Sequence, residues 1–276
     1  MPFSFNNLAS SNSTAIMGII NLSPDSFYSR SIPRSISSVF NVAKKMIQEG
    51  VHILDVGAET TRPGSKGISV KLELERLLPV ITKLTKEFDI PISVDTYKPE
   101  VASVVLQEGV SVINDISGLG AGYKMANVIA RHKAGVVLMH MKGTPKTMQN
   151  KPYYKDVCAE VLNFLSSRIM LAEEAGIDFE SIAIDPGIGF GKTLTHNVDL
   201  ITKLDQLKVL GKQILLGVSR KSFIGDILNL EPAERLEGSI AAGIVGVING
   251  ANILRVHDVG STMRAVRVVK ALRKRI

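Results

Sequence analysis

The chain has 276 residues, 45% of them hydrophobic, with a single cysteine and a formal net charge of +7; its pI is near 9.4. That length and apolar content supply an ample core for one large α/β domain or two small ones, and one cysteine excludes an internal disulfide. The basic residues are spread along the chain, so an anionic substrate explains the excess as well as a nucleic acid would.

The N-terminus, Met1 to Asn7, has no basic region followed by an apolar core, so neither a secretory signal nor a transit peptide is expected. A polar leader gives way to a first strand, Thr14 to Ile20, which ends at Asn21 in the loop Asn21-Leu-Ser-Pro-Asp-Ser-Phe27. A helical pattern over Ile36 to Glu49 stops at Gly50, and the strand Val51 to Asp55 leads into a Gly/Pro-rich second loop, Gly57 to Gly64, that carries Arg62. The next helix runs from about Val70 to Phe88 with Pro79 expected to kink it, followed by the strand Ile92 to Asp95 and a helix start at Lys98-Pro99-Glu100. Strands Val112 to Asp115 and Val136 to His140 enclose a short helix, Tyr123 to His132.

Tyr153 to Gly176 reads as one long amphipathic helix, with Cys158 as a core thiol in a reducing compartment. The strand Ser181 to Ile184 presents Asp185 at its carboxyl end, ahead of the turn Pro186 to Lys192. A helix is expected over about Asn197 to Leu210, then the strand Ile214 to Ser219, and a helix from Ser222 through Pro232 to Asn249. Within it, Ile240 to Ile248 is half small residues and too short to span a bilayer. The eighth strand is Ile253 to His257, and in the last helix Lys270 to Arg275 forms a solvated basic run. A cytoplasmic protein with neither membrane nor nucleic-acid partner is expected.

Eight strand-then-helix units with no hairpin signal are the arithmetic of a (β/α)8 TIM barrel formed by one domain over residues 1–276; a doubly wound open sheet has fewer strands. In either fold the strand ends hold ligands, and here they carry Asp55, Asp95, Asn114, Asp115, Asp185, Lys221, Arg255 and His257. Any one of these could be structural. Acids and cations gathered in one mouth fit a ligand that has both N–H donors and anionic oxygens, with phosphate over strands seven and eight. The turn after Asp185 nearly matches a P-loop through Gly191-Lys192-Thr193, but Pro186 stands where the first glycine is required. Histidine spacing offers no zinc site and there is no nucleophile elbow, whereas magnesium held by a few oxygens and diphosphate would leave little trace.

Asn21-Leu-Ser-Pro-Asp-Ser-Phe27, Thr60-Thr-Arg-Pro-Gly64, Ser93-Val-Asp-Thr96, Asn114-Asp-Ile116, Met139-His-Met141, Asp185 to Gly191, Ser219-Arg-Lys-Ser222 and Arg255-Val-His-Asp258 together resemble dihydropteroate synthase, in order over nearly the whole chain. The resemblance implies condensation of 6-hydroxymethyl-7,8-dihydropterin diphosphate with p-aminobenzoate, with Mg2+ and a homodimer. It implies that Asp95, Asn114, Met139, Asp185 and Lys221 hold the pterin, and that Arg255 stacks on it. Asn21, Thr61, Arg62, Arg255 and His257 would hold the diphosphate, with Asn21 as the metal ligand; Phe27, Pro63 and Ser222 would form the aminobenzoate and sulfonamide pocket, and Phe190 would be a further substrate-binding residue. Arg62, Lys221, Arg255 and His257 are the implied catalytic set. Tyr28-Ser29-Arg30-Ser31 stands where the family has Ser-Asp-Gly-Gly. A pterin-barrel methyltransferase or a non-catalytic pterin-binding paralogue are the other readings.

Overall fold

The computed structural model describes residues 1–8, 14–23 and 36–273. Eight parallel strands close into a barrel in sequential order. They are β1 Ala15–Asn21, β2 Ile53–Gly57, β3 Ile92–Asp95, β4 Val112–Asp115, β5 Gly135–Met139, β6 Ile182–Asp185, β7 Gln213–Leu216 and β8 Ile253–Val256. Met17 of β1 stands opposite both Ile53 of β2 and Arg255 of β8, which closes the ring and excludes the open sheet. The described helices are α1 Ile36–Gln48, α2 Val70–Glu87, α3 Pro99–Gln107, α4 Tyr123–His132, α5 Val157–Glu174, α6 Leu194–Thr202, α7 Ser222–Leu228, α8 Leu236–Ile248 and α9 Val259–Arg273. Among the described residues no helix is long and apolar enough to cross a membrane.

The two-residue period of the strands decides what the barrel holds. Inward positions low in the barrel are apolar: Ala15, Met17, Ile53, Val112, Val137, Ala183, Leu215 and Ile253 form one buried cluster with Phe5. Phe5 belongs to a short 3-10 helix, Phe5–Asn7. It is fully buried and meets Phe3 edge-on at 5.0 Å, so the leader expected to be merely polar plugs the lower end of the barrel. Two residues further along the same strands the inward positions are Asp55, Asn114, Met139, Asp185 and Arg255. The barrel interior therefore changes from apolar to charged within one layer, toward the carboxyl ends of the strands.

Three expected helices have different bounds, each for a local reason. α5 starts at Val157 because the Asp156 side chain caps it, accepting from the Cys158 and Ala159 backbone N–H groups at 3.0 and 3.1 Å. Tyr154 is left in the preceding loop, where its hydroxyl donates to Gly191 O at 2.8 Å. α6 begins at Leu194, where Thr193 and His196 form a capping box, and Leu204–Leu210 continues as a separate 3-10 helix. The stretch from Ser222 to Asn249 is broken between α7 and α8 by Asn229 in the left-handed region at φ 54° and by Pro232 opening a 3-10 turn. By contrast α2 continues through Pro79.

Candidate active site

A cavity of ≈ 300 Å³ opens at the carboxyl ends of the strands. Asn21, Thr61, Arg62, Pro63, Asp95, Phe190, Lys221, Ser222, Arg255 and His257 all line it, so ten of the residues singled out by sequence meet in one place. Asn114, Met139 and Asp185 are buried at the adjoining strand ends, and are not among the lining residues. Phe27 and the Tyr28 to Ser31 stretch lie outside the described residues.

Arg255 is the centre of the charged layer. Its Nε donates to Asp55 Oδ2 at 2.7 Å and its Nη2 to Asp95 Oδ2 at 3.1 Å. Asn114 Nδ2 donates to the same Asp55 oxygen at 3.2 Å. Asp55 is fully buried; it is a strand-end acid that sequence reading noted without giving it a role, and it holds the inner edge of the guanidinium. Burial pushes the Asp95 carboxyl up to about 7, against the lowering pull of Arg255 and with Asp55 adding to the rise.

Asp185 caps its own turn, accepting from the Gly187 N–H at 2.7 Å. The turn needs its glycines. Gly187 has φ 71°, and a Cβ there would lie 1.9 Å from the His140 carbonyl oxygen. A Cβ on Gly189 would meet the Lys221 side chain at 3.2 Å. Lys221 reaches across this gap: its ammonium donates to Ile188 O and lies 4.4 Å from the centre of the Phe190 ring. Burial brings Lys221 down to about 8, opposed first by Asp185. Burial also raises the Asp185 carboxyl, while Lys221, the Gly187 N–H, Arg255 and Lys192 all work to keep it ionised.

On the opposite rim, Ser219 Oγ lies 3.0 Å from His257 Nδ1 and accepts the His257 backbone N–H at 3.2 Å. Burial, and then the positive charge of Arg255, lower the His257 imidazole to about 4, which favours a neutral ring whose Nδ1 shares one hydrogen bond with Ser219 Oγ. Arg220 adopts φ 57° and is held by a two-pronged pair with Asp258, at 2.9 Å from both Nε and Nη2, which fixes the turn that presents Lys221 and Ser222. The second loop has its own anchor: Glu59 accepts from Tyr97 OH at 2.7 Å and from the Ile68 N–H at 3.1 Å. Lys98 Nζ pairs with both Glu59 and the buried Glu73. Sequence reading missed this cluster because its members lie on three separate segments.

Residues 17–257 match the family described as "Pterin binding enzyme". The dihydropteroate synthase of Synechocystis sp. is 45% identical over 94% of this chain and 90% of its own length. The chain belongs to the dihydropteroate synthase family. A crystal structure of the Yersinia pestis dihydropteroate synthase, in complex with a sulfonamide drug, is 38% identical and superposes with a TM-score of 0.92, covering 96% of this chain and 95% of that one. A dihydropteroate synthase of Xanthomonas albilineans, solved with 4-aminobenzoic acid, has a TM-score of 0.87 at 40% identity, covering 95% of this chain and 93% of that one. As a dihydropteroate synthase the chain is an enzyme that transfers an alkyl group other than methyl.

Proposed function

We propose that this chain condenses 6-hydroxymethyl-7,8-dihydropterin diphosphate with p-aminobenzoate to give 7,8-dihydropteroate and diphosphate, all 276 residues serving one pterin-binding barrel domain in the cytoplasm. The observation that carries this reading is that one mouth holds pterin-matching acids and a distinct set of anion-binding groups. A 2-amino-4-oxo pyrimidine edge presents adjacent N–H donors, which Asp185 accepts, and a carbonyl, which accepts from Lys221; Asn114 and Asp95 complete the edge, with Met139 beside it. Arg255 stacks on the ring and, with Arg62, Thr61 and His257, receives the diphosphate. The C–O bond breaks with its electron pair leaving on the diphosphate, and the amine nitrogen of p-aminobenzoate attacks the resulting pterin methyl cation, then sheds a proton to solvent. Water exclusion and leaving-group stabilisation matter more here than acid–base catalysis.

Mg2+ fits as an ion shared with the substrate. Asn21 Oδ1 and Asp95 Oδ2 are hard oxygens that both border the open side of Gly57, each 3.8 Å from where its Cβ would lie, beside the cavity that both residues line. Asn21 and the diphosphate oxygens would hold the ion, which would neutralise charge on the leaving group. A pterin-barrel methyltransferase has no use for the Ser219 to Ser222 and Arg255 to His257 anion set, so the synthase reading is favoured. Incubating the purified chain with pterin diphosphate, p-aminobenzoate and Mg2+ tests it: dihydropteroate should form, and omitting either substrate or the metal should stop it.

Pro63, Phe190 and Ser222, which line the cavity, are the described residues proposed to form the aminobenzoate site. Because loop residues complete that site over the diphosphate, p-aminobenzoate is expected to bind only when diphosphate and Mg2+ are present. Equilibrium dialysis with and without diphosphate checks this, and tight binding to the free enzyme would refute ordered binding.

A second copy of this chain is the proposed partner. α8 is apolar around most of its circumference, with Val245 and Ile248 exposed, and Ile227 and Leu228 on α7 extend the apolar surface. A homodimer through this surface should sediment at twice the monomer mass, and Val245→Glu with Ile248→Glu should give monomers; a monomeric wild type would refute it.

A further inference from the structure

The lysine of the P-loop-like turn has no place in the reaction above, yet it is nearly inaccessible, at 3% exposed. Lys192 Nζ donates to Gly187 O at 2.9 Å and to Phe190 O at 3.0 Å. His140 Nδ1 lies 3.0 Å away, and the His140 carbonyl oxygen lies at 3.4 Å. An ammonium has three protons, and the three shorter contacts use all of them. Two of these acceptors belong to the turn that carries Asp185 and Phe190, and the third sits just past β5. The turn is fastened by other groups as well: Tyr154 OH donates to Gly191 O at 2.8 Å, and Asn197 Oδ1 accepts the Gly189 N–H at 2.7 Å. Lys221 reaches the same turn from the cavity side through Ile188 O, and Lys192 is the charged group that ties it to His140.

We infer that Lys192 is a positioning residue for pterin recognition, its ammonium fastening the Asp185 turn to His140 just past β5 and adding to the positive charge that Lys221 and Arg255 set around the Asp185 carboxylate. The inference rests on the proposed role of Asp185 as the acceptor of pterin N–H groups. Lys221 and Arg255 act on Asp185 from the cavity side and the Gly187 N–H from within the turn; Lys192 completes the set of positive groups around it. His140 cannot compete for the charge, because burial and the neighbouring Lys192 lower its imidazole to about 3 and keep it neutral, an acceptor at Nδ1. Burial does push the Lys192 ammonium well below its ordinary value, and Asp185 is the group that opposes this. The two buried groups therefore favour each other's charged forms.

The sign of the effect follows. Removing the positive charge raises the pH at which Asp185 loses its ionised form, so pterin binding should fail at a higher pH on the acid side. Asp95 also titrates in this range, but the charges that act on it are Arg255, Asp55, Glu73 and Asp115. A difference between wild type and a Lys192 variant therefore reports on Asp185. The experiment is calorimetric titration of 6-hydroxymethyl-7,8-dihydropterin diphosphate across pH, without p-aminobenzoate, into wild type, Lys192→Gln and Lys192→Met. Gln keeps N–H donors for the turn and removes the charge; Met removes both.

The acid limb should move upward in both variants, so that binding is weakened roughly three- to tenfold on that limb and by less above it. Met should lose more than Gln at every pH. A Gln variant with the wild-type affinity and the wild-type acid limb would overturn the inference. If neither variant folds, as judged by circular dichroism, the Lys192 15N resonance of the wild-type pterin complex decides: an ammonium at neutral pH supports the inference, and a neutral amine overturns it. Failure of the underlying reading looks different, because then wild type itself would not bind the pterin, or Asp185→Asn would bind it as tightly as wild type does.

Discussion

Asp185→Asn should abolish measurable pterin binding while leaving a folded barrel. The carboxylate spends Oδ1 on the Gly187 N–H at 2.7 Å, which an amide oxygen can still accept, so the turn survives the substitution. What changes is the other end of the group. An amide directs N–H donors toward the N–H donors of the pterin, and it removes the anion that Lys221 and Lys192 face. Breaking one side of a buried charged set costs roughly 2–5 kcal/mol, beyond the worth of a single neutral hydrogen bond. Calorimetry on the folded variant measures this directly, and unchanged pterin affinity would remove Asp185 from the site. Because the same variant sheds the Lys221 and Lys192 partner, its unfolding midpoint should fall only modestly: Lys221 also donates to Ile188 O and Lys192 keeps its carbonyl acceptors.

The barrel was legible because its signals are local. Each β-branched run ends in a polar residue, and those ends fall on inward positions once the two-residue period is applied, as with Ile53 and Asp55 or Ile253 and Arg255. That Lys221, Ser222, Arg255 and His257 meet in one cavity was legible for the same reason: they sit within two short motifs that one resemblance covers. Relations across the barrel were not legible. Nothing in the sequence says that Arg255 ties Asp55 to Asp95, because the three lie on β8, β2 and β3 and meet only through closure of the sheet. Lys192 was hidden differently. Its spacing from the glycines nearly matches a phosphate loop, a reading that Pro186 rules out, but nothing in the sequence shows that the chain turns through Gly187, Gly189 and Gly191 at positive φ and carries the ammonium inward to backbone carbonyls. The helix breaks at Asn229 and Asp156 depended on capping geometry that apolar periodicity does not report.

Arg255→Met should be the most damaging single change, costing stability and activity together. In the wild type one guanidinium serves two buried carboxylates, with its Nη2 at 2.6 Å from Asp55 Oδ2 and 3.1 Å from Asp95 Oδ2. Methionine fills much of the volume but leaves both acids facing each other without a cation, and stranding a buried charge in this way costs roughly 3–5 kcal/mol. The cost should depend on pH, and its sign can be worked out. Asp95 already titrates at about 7, raised by burial in spite of Arg255; without Arg255 it rises further. Over the window from the ordinary carboxylate range up to that raised value the folded state binds more protons than the unfolded one, so stability falls as pH rises. The variant should therefore be most destabilised near pH 8 and partly relieved near pH 5, where Asp95 is protonated. Arg255→Lys separates the two roles. A lysine restores a positive charge and much of the stability, but one ammonium cannot bridge both acids while lying flat on a pterin, so turnover should stay low. Urea unfolding at the two pH values, with steady-state kinetics on both variants, checks each part, and a methionine variant as stable as wild type near pH 8 would mean that Arg255 does not carry the charge balance of the barrel mouth.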